Sequence, residues 1–366
     1  MQDKRLKVII SDFHVGEGHQ MGIYNNYDDF YFDDEFVEFL DYYSSGPYES
    51  IDVELIINGD FFDLLKVRYE GKFSEHITLQ VALAKLKQCI IGHPKVVNAL
   101  KKFLVQKNHT ITYIPGNHDI EFMFPEVGQY FTEIIAPQAK ERVKVINDTD
   151  TYFLEGGIQV QHGHQFEPAN AFNYRKIFIT DNVPEPILEL PWGSYYMLKV
   201  VNGLKDEKPY VDQVKPISLF ILHGLLLDFR FTAKFIWMTI YHFFRTQFVH
   251  NPFRKNKLFQ TLLIVLTSIR FIPDLEGNAH KILKHIVNIN TIIMGHNHKF
   301  RYRAFENNKL YVNTGTWTRM INLGIDEFGH EIKLTYCVIE YNKDEKPKIS
   351  LEEWQGTRRP HRKVNF

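Results

Sequence analysis

Five short motifs follow one another along the chain: Asp12-Phe13-His14, Gly59-Asp60-Phe61-Phe62-Asp63, Gly116-Asn117-His118-Asp119, His162-Gly163-His164 and Gly295-His296-Asn297-His298. On an extended backbone the spacing of Asp12 and His14 places both side chains on one side, as a two-ligand clip. Asp60 brings a carboxylate that two ions can share, and Asn117 a neutral carbonyl oxygen. His162, His296 and His298 add imidazoles. This set can hold two divalent metals side by side, an arrangement suited to in-line attack on phosphorus. Nitrogen and oxygen ligands without sulfur suit Mn²⁺, with Fe and Zn²⁺ as alternatives, better than Ca²⁺ or a structural zinc. Singly, each motif reads as ordinary turn chemistry. Five in order, each closing a predicted strand, point to a site.

The elements that must position these residues are legible in the apolar pattern. Runs at 6–11, 53–58, 110–114, 158–161 and 291–294 read as strands, and each ends at a motif. Ligands on loops beyond strand ends can converge on one crevice. Asp33 or Asp34 is placed to cap a helix whose Phe36, Phe39, Leu40 and Tyr43 share a face. Residues 77–91 and 96–105 read as helices, broken near Gly92 and Pro94. Residues 144–146, 151–154 and 158–161 read as successive antiparallel strands with a Gly156-Gly157 turn. A hairpin over 302–312 and strands at 334–341 and 349–354 follow. The stretch 16–32, aromatic and acidic, reads as a surface loop. The basic tail after Trp354 reads as flexible.

The chain has 366 residues and a formal net charge of −1, which argues against a globally basic nucleic-acid binder. Its two cysteines, Cys89 and Cys337, make neither a disulfide framework nor a thiolate cluster. The charged start runs straight into an apolar strand with no visible signal peptide, so the expected location is cytoplasmic. Between the fourth and fifth motifs the composition becomes apolar, aromatic and helical. Residues 215–272 hold eight Lys/Arg against one acid, Asp228, so that segment is +7 and the remainder −8. The expected organisation is a discontinuous core, 1–165 and 281–345, a helical insertion or lid at 166–280, and a final strand with a basic tail at 346–366.

The motif set resembles the calcineurin-like metallophosphoesterase superfamily, whose pattern is D-x-H, G-D-x-x-D, G-N-H-D/E, H and G-H-x-H. The match spans 6–165 and 290–341. The resemblance implies a four-layer αββα sandwich, two mixed β-sheets flanked by helices, interrupted here by the helical insertion. It implies one metal on Asp12, His14, Asp60 and His298, and a second on Asp60, Asn117, His162 and His296. It makes His118 the catalytic imidazole near the leaving group, with Asp63 orienting it. The turn at Val312-Asn313-Thr314-Gly315 resembles the family's segment after the last motif. Asn117, Asn173 and Arg175 are the expected substrate-binding residues, the last two because they closely follow the fourth motif.

The family spans several phosphate chemistries, and its fold does not choose among them. Leu64 and Leu65 stand where protein phosphatases of the superfamily usually carry an arginine. The insertion is similar to the lid of bacterial UDP-2,3-diacylglucosamine hydrolases, which implies a lipid-linked diphosphate substrate and contact of 215–272 with the inner face of a membrane. Gly116-Asn117-His118-Asp119 departs from the G-N-R-D of those enzymes. The alternative is a soluble phosphomonoesterase or phosphodiesterase acting on a nucleotide-type substrate, its insertion a packed subdomain or dimer interface. A non-catalytic scaffold need not retain so complete a ligand set. No uncharged apolar run reaches the ~18 residues of a spanning helix, and no nucleic-acid partner is expected. The sequence leaves the oligomeric state open.

Overall fold

The computed structural model describes residues 4–19, 25–248, 274–324, 328–343 and 345–364. The chain opens with β1 (Arg5–Ile10), α1 (Asp33–Tyr43), β2 (Asp52–Asn58), α2 (Leu79–Gly92), α3 (Pro94–Phe103), β3 (His109–Ile114), α4 (Pro125–Ile135), β4 (Val143–Val145), β5 (Thr151–Leu154) and β6 (Ile158–Gln161). Then come β7 (Phe178–Ile179), β8 (Ile187–Leu188), α5 (Trp192–Tyr196), α6 (Asn202–Leu204), β9 (Val214–Lys215), α7 (Ile217–Leu227) and α8 (Phe229–Phe248). The last part holds α9 (Leu275–His285), β10 (Thr291–Met294), β11 (Arg301–Phe305), β12 (Lys309–Asn313), β13 (Met320–Asn322), β14 (Gly329–Glu331), β15 (Thr335–Tyr341), β16 (Lys348–Trp354) and β17 (His361–Lys363).

Two mixed sheets face each other. The first has the order β17-β16-β15-β1-β2-β3-β4 and the second β11-β12-β10-β6-β5. The alternation of side chains along a strand explains the layering. In β1, Val8 and Ile10 join the cluster that includes Phe36 and Phe39 of α1 and Leu100 of α3. Ile9, between them, points the other way. It meets Ile56 and Ile114 of its own sheet and Val160, Ile293 and Val312 of the second. On the far side of the second sheet, Leu275, Ala279 and Leu283 of α9 cover Ile292, Met294 and Tyr311. Helices, sheet, sheet and helix make the four-layer sandwich. Each buried isoleucine of the seam contributes about 1.5–3 kcal/mol of burial.

Four local expectations are corrected. Residues 143–145 do not pair with 151–154. They run parallel to β3 at the edge of the first sheet, and the β5–β6 hairpin belongs to the second. The chain changes layers between Ile146 and Thr151, which a pattern of short strands cannot reveal. Neither Asp33 nor Asp34 caps α1, which begins at Asp33 after Phe32. Asp33 instead accepts from His93 Nδ1 at 2.9 Å, and the acids of the first turn favour the helix through its dipole. The stretch before α1 is not a plain surface loop: Asp28 and Asp29 are buried. Asp28 accepts from His93 Nε2 at 2.7 Å. Tyr24 lies outside the described residues. The basic tail is partly ordered as an edge strand, with Glu352 opposite Lys363 and Glu353 opposite Arg362.

The segment between the halves divides in two. Phe172, Ile177, Leu188, Leu190 and Leu198 enter the main core. Val200, Val201, Leu204 and Val211 pack with Phe231 and Phe235 of α8 as a separate cluster. β9 pairs with β13, and β13 with β14, fastening the segment to the strands beyond the last motif. Beyond this cluster the hairpin of α7 and α8 is open: α7 has no buried residue. Arg254, Lys255, Lys257 and the apolar run 258–269 lie outside the described residues. Among the described residues no helix is long and apolar enough to cross a membrane.

Candidate dinuclear metal centre

Each strand that carries a motif stops short of its ligands. β1 ends at Ile10, β2 at Asn58, β3 at Ile114, β6 at Gln161 and β10 at Met294. Asp12, His14, Asp60, His296 and His298 then all have positive φ, between 52° and 73°. The backbone at Asp12 and His14 is therefore left-handed, not extended as the spacing suggests. This conformation costs a non-glycine residue roughly 1–2 kcal/mol. Its recurrence at five candidate ligands marks a site where geometry outweighs local comfort. Gly59 has φ +81°, and a β-carbon there would strike His162. A β-carbon at Gly295 would strike Asp12.

The side chains fall into three overlapping groups. Asp12, His14 and His298 bring one ligand atom each within 4.8 Å of one another, and Asp60, His162 and His296 do the same. His14 with Asp60 and His118 makes a third set on that criterion. His14 Nδ1 donates to Asp63 Oδ2 at 3.0 Å, which leaves its Nε2 bare and 3.0 Å from His298 Nε2. Two imidazole nitrogens facing at that distance fit a shared cation. His162 Nδ1 donates to the Asn58 carbonyl at 2.8 Å, turning Nε2 to Asp60 Oδ2 at 3.1 Å. His296 Nε2 donates to Glu167 at 2.6 Å and leaves Nδ1 inward. Among the described residues, Asn117 Oδ1, His162 Nε2 and His296 Nδ1 are buried without a hydrogen-bond partner, and so is His298 Nδ1, on the other side of its ring from the nitrogen that faces His14. An amide oxygen and two buried imidazole nitrogens, once free of protons, fit a divalent metal. Burial and the charge of Lys215 hold His298 well below the ordinary imidazole value, hence neutral. Burial opposes a proton on His162, but Asp60 and Asp12 outweigh it and raise it to about 10. Metal uptake must displace such protons, so affinity rises with pH.

Asp63 joins two imidazoles and a lysine. Its Oδ1 accepts from His118 Nδ1 at 2.8 Å, while Oδ2 takes His14 Nδ1 and Lys66 Nζ, each at 3.0 Å. Burial alone would raise the Asp63 carboxyl; His118 and Lys66 outweigh it and hold it well below the usual range. Burial likewise opposes charge on His118, yet Asp63 and Asp60 lift it to about 9. His118 N–H donates to Asp60 Oδ1 at 2.8 Å, so one loop touches both parts of the centre. Asp119 anchors that loop, accepting from Gly116 N at 2.6 Å and Phe61 N at 2.9 Å. His14, His118 and His298 line a cleft of about 100 Å³ with Lys66, Asp212 and Gln213.

Several partners have no motif to announce them. Lys66 reaches Asp29 and, at 2.6 Å, Asp212. Lys205 closes the network on Asp29 at 3.0 Å and Asp212 at 2.8 Å. Lys66, Lys205 and Asp29 are buried, so the set joins the insertion to Asp63 through charges that need one another. Glu167 lies five positions after His162, at a spacing no rule singles out. Asn173 and Arg175 are exposed, and the Asn173 side chain accepts from Arg175 N at 3.2 Å. Between them, Tyr174 turns inward to His164 Nε2 at 2.8 Å. Glu167→Gln should weaken metal binding by roughly 10–100-fold, since it removes the group that orients a candidate ligand imidazole. Competition against a chromogenic chelator measures this, and an unchanged affinity would assign Glu167 to packing alone.

No protein-family model matches the chain, and no curated protein does. Among solved structures it is similar to a dimetal phosphatase from Danio rerio at 9% identity, covering 98% of each chain with TM-score 0.40. A predicted phosphoesterase from Streptococcus pneumoniae matches at 11% identity, over 100% of this chain and 99% of that one, with TM-score 0.31. The phosphopantetheinyl hydrolase of Mycobacterium tuberculosis matches at 13%, over 86% and 91%, with TM-score 0.29.

Proposed function

We propose that the chain is a dinuclear-metal phosphoester hydrolase of the calcineurin-like type. The observation that carries this reading is the overlap of close ligand-atom sets: Asp60 with His162 and His296, Asp60 with His14 and His118, and His14 again with Asp12 and His298. Asp12, His14, Asp60 and His298 would hold one ion; Asp60, Asn117, His162 and His296 the other. When bound, two divalent ions supply an acidified water and positive charge for in-line displacement at phosphorus. The chain's own residues do the remainder. His118 is held as imidazolium by Asp63 and gives its Nε2 proton to the departing oxygen. Asp63 also fixes the ring of His14. Glu167 and the Asn58 carbonyl fix those of His296 and His162. Elemental analysis of metal-saturated protein should find two ions per chain, with Mn²⁺ restoring turnover of an aryl phosphodiester after chelation. Full activity in chelator, or a single ion at saturation, would overturn the reading.

The substrate reading we favour is lipid-linked. It is supported by the open face of the α7–α8 hairpin, where Leu226, Leu227, Phe229 and Trp237 are each more than 60% exposed. Apolar groups of this density suit an interface, with Arg230 and Arg245 nearby for anionic headgroups. Leu226→Ser/Leu227→Ser/Trp237→Ser should lower co-sedimentation with anionic vesicles several-fold. The removed apolar area is worth roughly 25 cal/mol per Å². Wild-type protein that ignores anionic vesicles at low salt would favour a soluble phosphomonoester or phosphodiester substrate and a protein contact at this face.

A further inference from the structure

Beside the candidate centre lies a larger feature that hydrolysis of a simple phosphoester does not require. A cleft of about 500 Å³ runs from His298 and Lys215 outward to β17. Six cationic side chains line it: Lys215, Lys299, Arg301, Lys333, Arg362 and Lys363. Among the described residues the lining acids are Glu331 and Glu353. Some of this charge is engaged locally. Lys333 pairs with Glu331 at 2.7 Å, and Arg301 with Glu276 at 3.0 Å. Lys215, at the inner end, donates to the Asn297 carbonyl at 2.8 Å. The cations come from four separate places in the chain: β9, the turn into β11, the approach to β15, and β17. This is therefore no solvated helix face. A chain of net charge −1 has gathered like charges around one concavity. Their mutual repulsion is unfavourable unless an anion enters.

We propose that this cleft is a subsite for a second phosphate, so that the substrate is a diphosphate or a doubly phosphorylated ester. The inference rests on the phosphoesterase reading of the adjacent centre and deepens it. The position fits: His298 is at once a candidate metal ligand and part of the cleft wall. A reacting phosphorus at the centre leaves its neighbouring anionic group facing the cations. The size suits a small-molecule group, since ligand pockets typically run about 300–1,000 Å³. Charge-assisted hydrogen bonds from lysine and arginine supply the recognition.

The test is calorimetric and uses the full-length, metal-loaded protein. Methylenediphosphonate and inorganic phosphate are titrated into wild type and into Lys333→Ala/Arg362→Ala/Lys363→Ala. Any chelation of the metals by the diphosphonate is common to both proteins, so their ratio isolates the cleft. The triple variant should bind diphosphonate about tenfold or more weakly, while phosphate binding falls less than about threefold. The charge-keeping Lys333→Arg/Arg362→Lys/Lys363→Arg should retain most of the wild-type preference. Should the alanine variant fail to fold, the exposed Lys363→Glu is expected to weaken diphosphonate in the same selective way. Equal weakening of both anions, or of neither, overturns the subsite. Adenosine diphosphate and dodecyl diphosphate, titrated in parallel, separate a nucleotide source from a lipid one. Binding is read without turnover. An inactive protein with a selective loss sinks the phosphoesterase reading alone, and an active one without it sinks the subsite alone.

Discussion

Asp60→Asn is expected to reduce kcat/KM on an aryl phosphodiester below about a thousandth of wild type, several kcal/mol of lost charge stabilisation. The carboxylate belongs to one close set of candidate ligand atoms with His162 and His296 and to another with His14 and His118, with Oδ2 3.1 Å from His162 Nε2 and Oδ1 accepting from the His118 amide. An amide keeps the shape but loses the charge and the ability of both oxygens to ligate. Burial pushes the Asp60 carboxyl up, yet the charges of His162 and His118 hold it well below the ordinary value. The native group is therefore an anion that its surroundings demand. Elemental analysis should find metal content reduced along with activity. A variant that keeps both ions and a tenth of the activity would remove Asp60 from its bridging place. Excess Mn²⁺ should not rescue the variant, because the missing ligand cannot be replaced from solution.

His118→Ala should lower kcat by ~10²-fold or more on esters with poor leaving groups, the usual scale of general acid catalysis. The loss should be small for an aryl leaving group that departs without a proton. Equal losses on both would end the acid role. Asp63→Asn carries a sharper signature. His118 is raised to about 9 because Asp63 and Asp60 outweigh its burial. An acid catalyst is active below its pKa, so kcat/KM declines as pH rises through it. Removing the Asp63 charge lowers that pKa and moves the alkaline limb to lower pH. The same substitution loosens His14, whose Nδ1 rests on Asp63 at 3.0 Å, so metal affinity should fall as well. A changed pH limb without a change in metal affinity would restrict Asp63 to His118.

The motif-bearing strands and the candidate ligands were legible in the order of residues, for a local reason, whereas the four-layer sandwich was only implied by the resemblance of the motif set. A buried strand writes itself as a short apolar run, and a chain leaving a sheet needs glycine where backbones crowd. The motifs were readable because strand, glycine and ligand are neighbours in sequence. The face of α1 was readable from helical spacing for the same reason.

What the order of residues left open involves contacts between distant positions. The placing of 143–145 in one sheet and 151–154 in the other depends on a crossover that no periodicity records. Glu167 matters through His296, 129 positions away. Sequence reading assigns Asp63 one imidazole; folding brings it a second, and a lysine tied to the insertion through Asp29 and Asp212. The C-terminal basic residues look like a solvated tail until β16 offers its open edge. Pairing there carries Arg362 and Lys363 to the wall of the cleft beside His298. Composition by itself determined that the chain is nearly neutral and its ends and insertion basic. Only tertiary structure decided that cations from four segments face one cavity, because charge acts through space and its sequence separation leaves no trace of the distance.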